Sequence, residues 1–128
     1  MNTATLDAVG IAHRYIALWN EPDAERRRQL LAADWTVDAR YVDPMARATG
    51  AEQIDALVSA VQQRFPGFRF RLKGRAEMHG DLHGEHLRFS WTLGPSGAED
   101  LIEGTDFAEV EGGKLRSVTG FLDKVPSA

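Results

Sequence analysis

The chain contains no cysteine, which excludes disulfides, thiolate metal sites and cysteine nucleophiles. It also lacks any apolar stretch long enough to span a bilayer, and Met1 to Leu6 has neither the basic start nor the apolar run of a secretory leader. The expectation is a cytoplasmic protein with no membrane partner. Excess positive charge is missing too: the formal net charge is −4, so nucleic acid is not expected as a partner. The only tight basic run, Arg26-Arg27-Arg28, falls in a helical stretch and reads as a solvated face. Internal repeats, low-complexity segments and linker-like stretches are all absent.

What is present is ordinary globular material. With 43% hydrophobic and 27% charged residues among 128, the chain is read as a single domain over residues 1–128 around one core. From about Thr5 to Asn20, Ala8, Ile11, Ala12, Tyr15, Ile16 and Trp19 recur at three- and four-residue spacing, the mark of a helix with one broad buried face. Asn20-Glu21-Pro22-Asp23 reads as a turn, with Asp23 capping a second helix from Ala24 to Ala33. Val37, Ala39, Tyr41 and Asp43 then alternate with Asp38, Arg40 and Val42, giving a short strand that stops at Pro44 and puts Asp43 on its apolar side.

Thr49-Gly50-Ala51-Glu52 fits a capping box, and Ile54, Leu57, Val58, Val61 and Phe65 form a helical stripe that Pro66-Gly67 ends. The rest reads as strands. Phe68, Phe70, Leu72, Ala76 and Met78 alternate with polar residues, as do Leu87, Phe89, Trp91 and Leu93. A strand from Leu101 to Val110 and a hairpin at Glu111-Gly112-Gly113-Lys114 lead into a last strand from Leu115 to Asp123. Three helices before a meander of four long strands imply an α+β fold: a curved antiparallel sheet whose apolar face is covered by the helices and encloses a pocket.

Pockets of this kind are apolar with a few polar groups, so polar residues on apolar stripes are the candidates for chemistry. Tyr15 lies in the buried face of the first helix, Asp43 ends the short strand, and Asp106 is the only charge on a strand face shared with Ile102, Gly104, Ala108 and Val110. An ionised carboxylate in apolar surroundings costs several kcal/mol, so it stays protonated, finds a partner or faces a cavity. Each residue also has a structural reading. Tyr15 suits an amphipathic core tyrosine, Asp43-Pro44 a turn opening, and Asp106 a surface position if the register slips by one. Trp91 is either a wall of the pocket or its filling.

Arg14-Tyr15, the stretch from Asp38 to Pro44, and Gly104-Thr105-Asp106-Phe107 followed by Gly112-Gly113-Lys114-Leu115 resemble the nuclear transport factor 2-like superfamily, especially its SnoaL-like and ketosteroid isomerase-like members. The resemblance covers nearly the whole chain and implies a cone-shaped fold. By that resemblance Asp43 is the general base, Tyr15 and a protonated Asp106 stabilise the enolate, and neither metal nor organic cofactor is needed. It further implies a pocket for a small apolar organic ligand, assigned to Trp19, Tyr41, Phe65, Trp91 and Gly104, and a homodimer formed through the open sheet face.

The reaction implied is isomerisation or cyclisation by proton transfer next to a carbonyl. A SnoaL-like polyketide cyclase using Asp106 and a non-catalytic binding module are the alternatives. The loop Met45-Ala46-Arg47-Ala48 departs from the isomerase pattern, and Gly104 stands where the superfamily's epoxide hydrolases have arginine, which counts against that activity. His79, His83 and His86 cluster around one strand turn at a spacing that matches no metal motif, and they read as solvated turn residues.

Overall fold

Helical spacing of apolar residues buries Ala8, Ile11, Ala12, Tyr15, Ile16 and Trp19 along one side of helix α1 (Thr3–Asn20) in the computed structural model, which describes residues 3–126, with side chains from residue 7 onward. Helix α2 (Ala24–Asp34) starts at the N-cap Asp23, whose carboxylate accepts the Arg26 N–H at 3.3 Å. The arginine run is not a uniform solvated face. Arg26 and Arg28 are exposed, but Arg27 is 4% exposed and forms a buried clamp. Its guanidinium pairs with Asp55 at 2.6 Å and donates to the Glu21 and Pro22 carbonyls at 3.0 Å, so the turn before α2 is tied to the third helix. Charge alone did not reveal this, because those carbonyls and Asp55 come from elsewhere in the fold.

Strand β1 (Trp35–Val42) buries Trp35, Ala39 and Tyr41 but leaves Val37 96% exposed. Simple alternation fails there because the pairing slips between Trp35 and Arg40, and the extra residues bulge outward. A three-residue strand, β2 (Arg47–Thr49), folds back antiparallel onto β1 from the loop after Pro44. Helix α3 (Gly50–Arg64) follows, with Thr49 at its N-cap. The expected capping box does not form: the Thr49 side chain makes no cap bond, and Gln53, one residue beyond Glu52, accepts the Thr49 N–H at 2.9 Å.

The long strands are β3 (Phe68–Asp81), β4 (Gly84–Pro95), β5 (Ile102–Glu111) and β6 (Lys114–Lys124). Their order in the sheet is β2-β1-β6-β5-β4-β3. The four long strands pair antiparallel through short turns, whereas β1 lies parallel to β6, so the six-stranded sheet is mixed. Hairpin reasoning cannot supply that last pairing, since the connection between β1 and β6 passes through a helix and four strands. Gly74, at φ +69°, sits where β3 slips against β4 between Lys73 and Glu77; the left-handed kink bends the strand and helps the sheet curl.

The concave face carries Leu87, Phe89, Ala108, Val110, Leu115 and Val118, and these pack against α1 and α3 residues such as Ala12, Ile54 and Val58. At the C-terminal end of α1 the Asn20 side chain imitates a strand. It donates to the Phe70 carbonyl at 2.9 Å and accepts the Phe70 N–H at 2.8 Å, which pins the helix to the edge strand β3. No helix among the described residues is long and apolar enough to cross a membrane.

Candidate active site

Between the helices and the sheet lies a cavity of about 530 Å³, within the range of roughly 300–1,000 Å³ usual for small-molecule sites. Trp19, Tyr41, Phe65 and Trp91 line it, together with Leu57, Phe70 and Ile102. Tyr15, Asp43 and Asp106 are also on its wall, so three residues far apart in the chain meet in one hollow. Gly104 is placed differently: it lies beneath the Trp91 ring, and a Cβ there would run into the indole and come 2.8 Å from the Phe121 carbonyl oxygen. Its role is to let Trp91 lie flat on β5. Trp91 is thereby a half-buried wall of the cavity and does not fill it.

The register explains how the two acids come together. Asp106 pairs with Gly120 across β5 and β6, and Val42 pairs with Thr119, so Asp43 follows on beside Gly120. The two aspartates therefore flank a residue without a side chain, about two strand spacings or 10 Å apart along the backbone. A Cβ on Gly120 would stand 2.8 Å from Asp106 Oδ1, 3.4 Å from Asp43 Cβ and 3.6 Å from the Tyr41 hydroxyl. Gly120 was not singled out from the sequence. An isolated glycine in a strand pattern signals close approach, but what approaches it is set by neighbouring strands.

Asp106 is 1% exposed. Its Oδ2 accepts the Tyr15 hydroxyl at 2.5 Å and its Oδ1 accepts the Trp91 indole N–H at 3.1 Å. Burial pushes its carboxyl up from 3.8 to about 6; the two donors favour the charged form and oppose this, while Asp43 and Asp123 add repulsion. Burial, followed by the charge of Asp106, holds the Tyr15 and Tyr41 phenols far above their ordinary value, so both remain proton donors. Trp35 stacks on the Tyr15 ring at 5.9 Å and Phe89 meets it edge-on at 4.9 Å, which fixes the phenol's direction. The Trp19 indole nitrogen is buried without an acceptor in hydrogen-bonding geometry, yet it bears on the Tyr15 hydroxyl closely enough to oppose that rise.

Asp43 is half-buried and differently held. Its Oδ1 accepts the backbone N–H groups of Met45 and Ala46, each at 2.8 Å, and its Oδ2 accepts the Tyr41 hydroxyl at 2.7 Å. Asp-Pro thus opens a turn and presents a carboxylate to the cavity at once. The loop from Met45 supplies the donors that orient it. Met45, Arg64, Leu122 and Val125 are exposed lining residues and form the rim.

The histidines lie away from this site. His79 and His86 are cross-strand neighbours, with His86 3.3 Å from Asp81, and no group of three or more metal-ligand side chains converges among the described residues.

The SnoaL-like domain model matches residues 12–118. A proposed isomerase of the SnoaL-like family from Agrobacterium tumefaciens str. C58 is 40% identical, with a TM-score of 0.85 over 92% of this chain and 98% of that one. A proposed ketosteroid isomerase from Kribbella flavida DSM 17836 is 25% identical, with a TM-score of 0.68 over 98% and 84% of the two chains. A protein of ketosteroid isomerase-like fold from Catenulispora acidiphila DSM 44928, solved in complex with trimethylamine, is 17% identical, with a TM-score of 0.65 over 86% and 82%; at that identity it shares the fold alone. Among curated proteins nothing matches the chain. A family model spanning most of the residues, and a solved relative that is 40% identical, make this chain a member of the SnoaL-like domain family, whose fold it shares with ketosteroid isomerase-like proteins.

Proposed function

We propose that the protein is a cofactor-independent enzyme that moves a proton beside the carbonyl of a small apolar organic molecule, as an isomerase or a cyclase. The observation that carries this reading is the pair of carboxylates on either side of Gly120, both on the cavity wall, Asp43 half-buried and Asp106 deeply buried. Asp43, locked by three donors, takes a proton from the carbon next to the carbonyl. The C–H electron pair moves into the new carbon–carbon double bond and the carbonyl electrons onto oxygen. Tyr15 and protonated Asp106 then donate hydrogen bonds to that oxyanion. Returning the proton to a different carbon gives an isomer, and attack of the enolate carbon on a second carbonyl gives a ring.

In the resting arrangement the Tyr15 proton is directed at Asp106, so both groups can face a ligand oxygen only when Asp106 carries its own proton. With that carboxyl at about 6, kcat/KM falls as pH rises through about 6. The polyketide cyclase alternative uses the same enolate chemistry, with Asp106 as its principal acid. A non-catalytic binding module would use the same hollow without the proton transfer. Two copies pair through the outer sheet face in this reading, where Phe107 and Phe121, 46% and 52% exposed, meet edge to face at 5.8 Å.

The test is exchange of the α-protons of a small cyclic ketone into deuterated water, followed by NMR. Wild-type protein is expected to catalyse the exchange, and Asp43→Asn to lose about 10²- to 10⁴-fold while keeping ligand affinity. Equal exchange by the variant would dismiss Asp43 as the base, and no exchange by the wild-type protein would leave the binding module.

A further inference from the structure

We infer that the cavity also takes small organic ammonium ions, held against aromatic walls by the uncompensated charge of its two aspartates. The inference rests on the cavity and its electrostatics, not on turnover.

The walls come first. Trp19, Tyr41, Phe70 and Trp91 line the hollow, with centroids 5.5 Å apart for Trp19 and Tyr41, 5.6 Å for Trp19 and Phe70, and 5.3 Å for Phe70 and Trp91. The rings are inclined to one another by 49–65°, so they form the corner of a box and not a flat stack. The negative face of an aromatic ring attracts a cation within about 6 Å of its centre, more strongly once water is removed.

The charge comes second. Each of the ion pairs among the described residues uses a carboxylate other than Asp43 and Asp106. Asp106 touches Tyr15 from α1 and Trp91 from β4, and the groups that act on it through charge are Asp43 just after β1, Tyr41 in β1 and Asp123 in β6: neutral donors and further acids. Among the described residues the single cationic one lining the cavity is Arg64 at the rim, exposed, with its guanidinium carbon 5.7 Å from the centre of the Phe65 ring. Inside that rim the two carboxylates have hydrogen-bond donors but no cationic partner among the described residues. A neutral ligand leaves both carboxylates unbalanced, whereas an ammonium balances them where field lines are least screened. Half-buried Asp43 is the contact, and the more deeply buried Asp106 adds its charge from the same wall.

Trimethyl-substituted ammonium ions fit best, because their charge is spread over methyl groups that pack on rings and need no hydrogen-bond acceptor. The probes are choline and its uncharged isostere 3,3-dimethylbutan-1-ol, titrated against the wild-type protein by calorimetry and tryptophan fluorescence at pH 8 and pH 5. Choline is expected to bind about tenfold or more tightly than the alcohol at pH 8. That advantage shrinks at pH 5, where Asp106 takes up a proton, and shrinks again in Asp43→Asn at pH 8. Equal affinity for choline and the alcohol at pH 8, no binding of either at millimolar concentration, or a choline preference unchanged by both pH and Asp43→Asn would each overturn the inference. The proton-transfer reading fails separately: ketone exchange declines as pH rises through about 6, while ammonium binding grows over the same interval.

Discussion

Replacing Asp106 with asparagine is expected to make the protein more stable above pH 6, at the expense of its chemistry. The carboxyl is sealed, and burial lifts it from an ordinary 3.8 to about 6. Between those values the folded protein holds a proton that the unfolded chain has released, so the free energy of unfolding falls as pH rises through that window. The interval, at about 1.4 kcal/mol per pH unit, is worth about 3 kcal/mol, and above pH 6 the whole of it is lost. Asparagine has no charge to bury, and both existing bonds keep a counterpart. Its oxygen accepts the Trp91 N–H, and its amide donates to the Tyr15 oxygen, whose hydroxyl turns away. Urea unfolding followed by tryptophan fluorescence at pH 4, 6 and 8 measures the difference. Wild type and Asp106→Asn should coincide near pH 4, and the variant should lead by about 2–3 kcal/mol at pH 8. Other carboxylates titrate equally in both proteins and cancel. A variant that is less stable at pH 8, or a difference that does not change with pH, would refute a sealed, reluctantly ionised Asp106.

Gly120→Ala places a methyl group 2.8 Å from Asp106 Oδ1; an overpacking loss of about 1–3 kcal/mol in thermal unfolding is expected, together with weaker ligand binding, and an unchanged protein would mean that the acids do not flank this position. Arg27→Ala removes a buried cation from Asp55 and two carbonyls and should cost about 3–4 kcal/mol in urea unfolding, while Arg26→Ala, on an exposed side chain, should stay within about 0.5 kcal/mol. Phe107→Asp puts a charge into the outer aromatic pair; sedimentation should show wild-type dimers and variant monomers with ketone exchange retained, and a monomeric wild type would end the pairing proposal.

Elements whose physics is local were legible. The stripe of α1, the alternation of β5 and the Gly112-Gly113 hairpin depend on neighbours within a few residues, and the buried positions of β5 are Ile102, Gly104, Asp106, Ala108 and Val110, as alternation requires, whereas in β4 the alternation of Leu87 and Phe89 gives out at Thr92, which is buried beside Leu93. Inward placement of Asp106 followed from parity alone. Val37 was misjudged for the converse reason: a bulge breaks parity, and a bulge depends on the partner strand. Arg27 reads as one more arginine until the carbonyls of Glu21 and Pro22 are folded back over it.

The site divides along the same line. A single strand reveals which face a residue occupies, but not which residue stands beside it on the next strand unless a turn connects the two. Gly112 and Gly113 connect β5 to β6, but the register of that turn alone would set Asp106 against Thr119; a bulge at Arg116, where the pairing shifts between Glu109 and Val110, brings Gly120 opposite it. No turn connects β1 to β6, and the parallel pairing that brings Asp43 to the other side of Gly120 is held instead by burial of Ala39, Tyr41, Leu115 and Val118 against the helices. Proton transfer and ammonium binding both depend on that one non-local register. Sliding β1 by two residues against β6 would keep every inward face and every buried apolar residue, yet move Asp43 about 7 Å along the sheet and away from Gly120. The chemistry of this fold therefore rests on a pairing to which local sequence pattern is blind, in which Gly120 takes part by having no side chain.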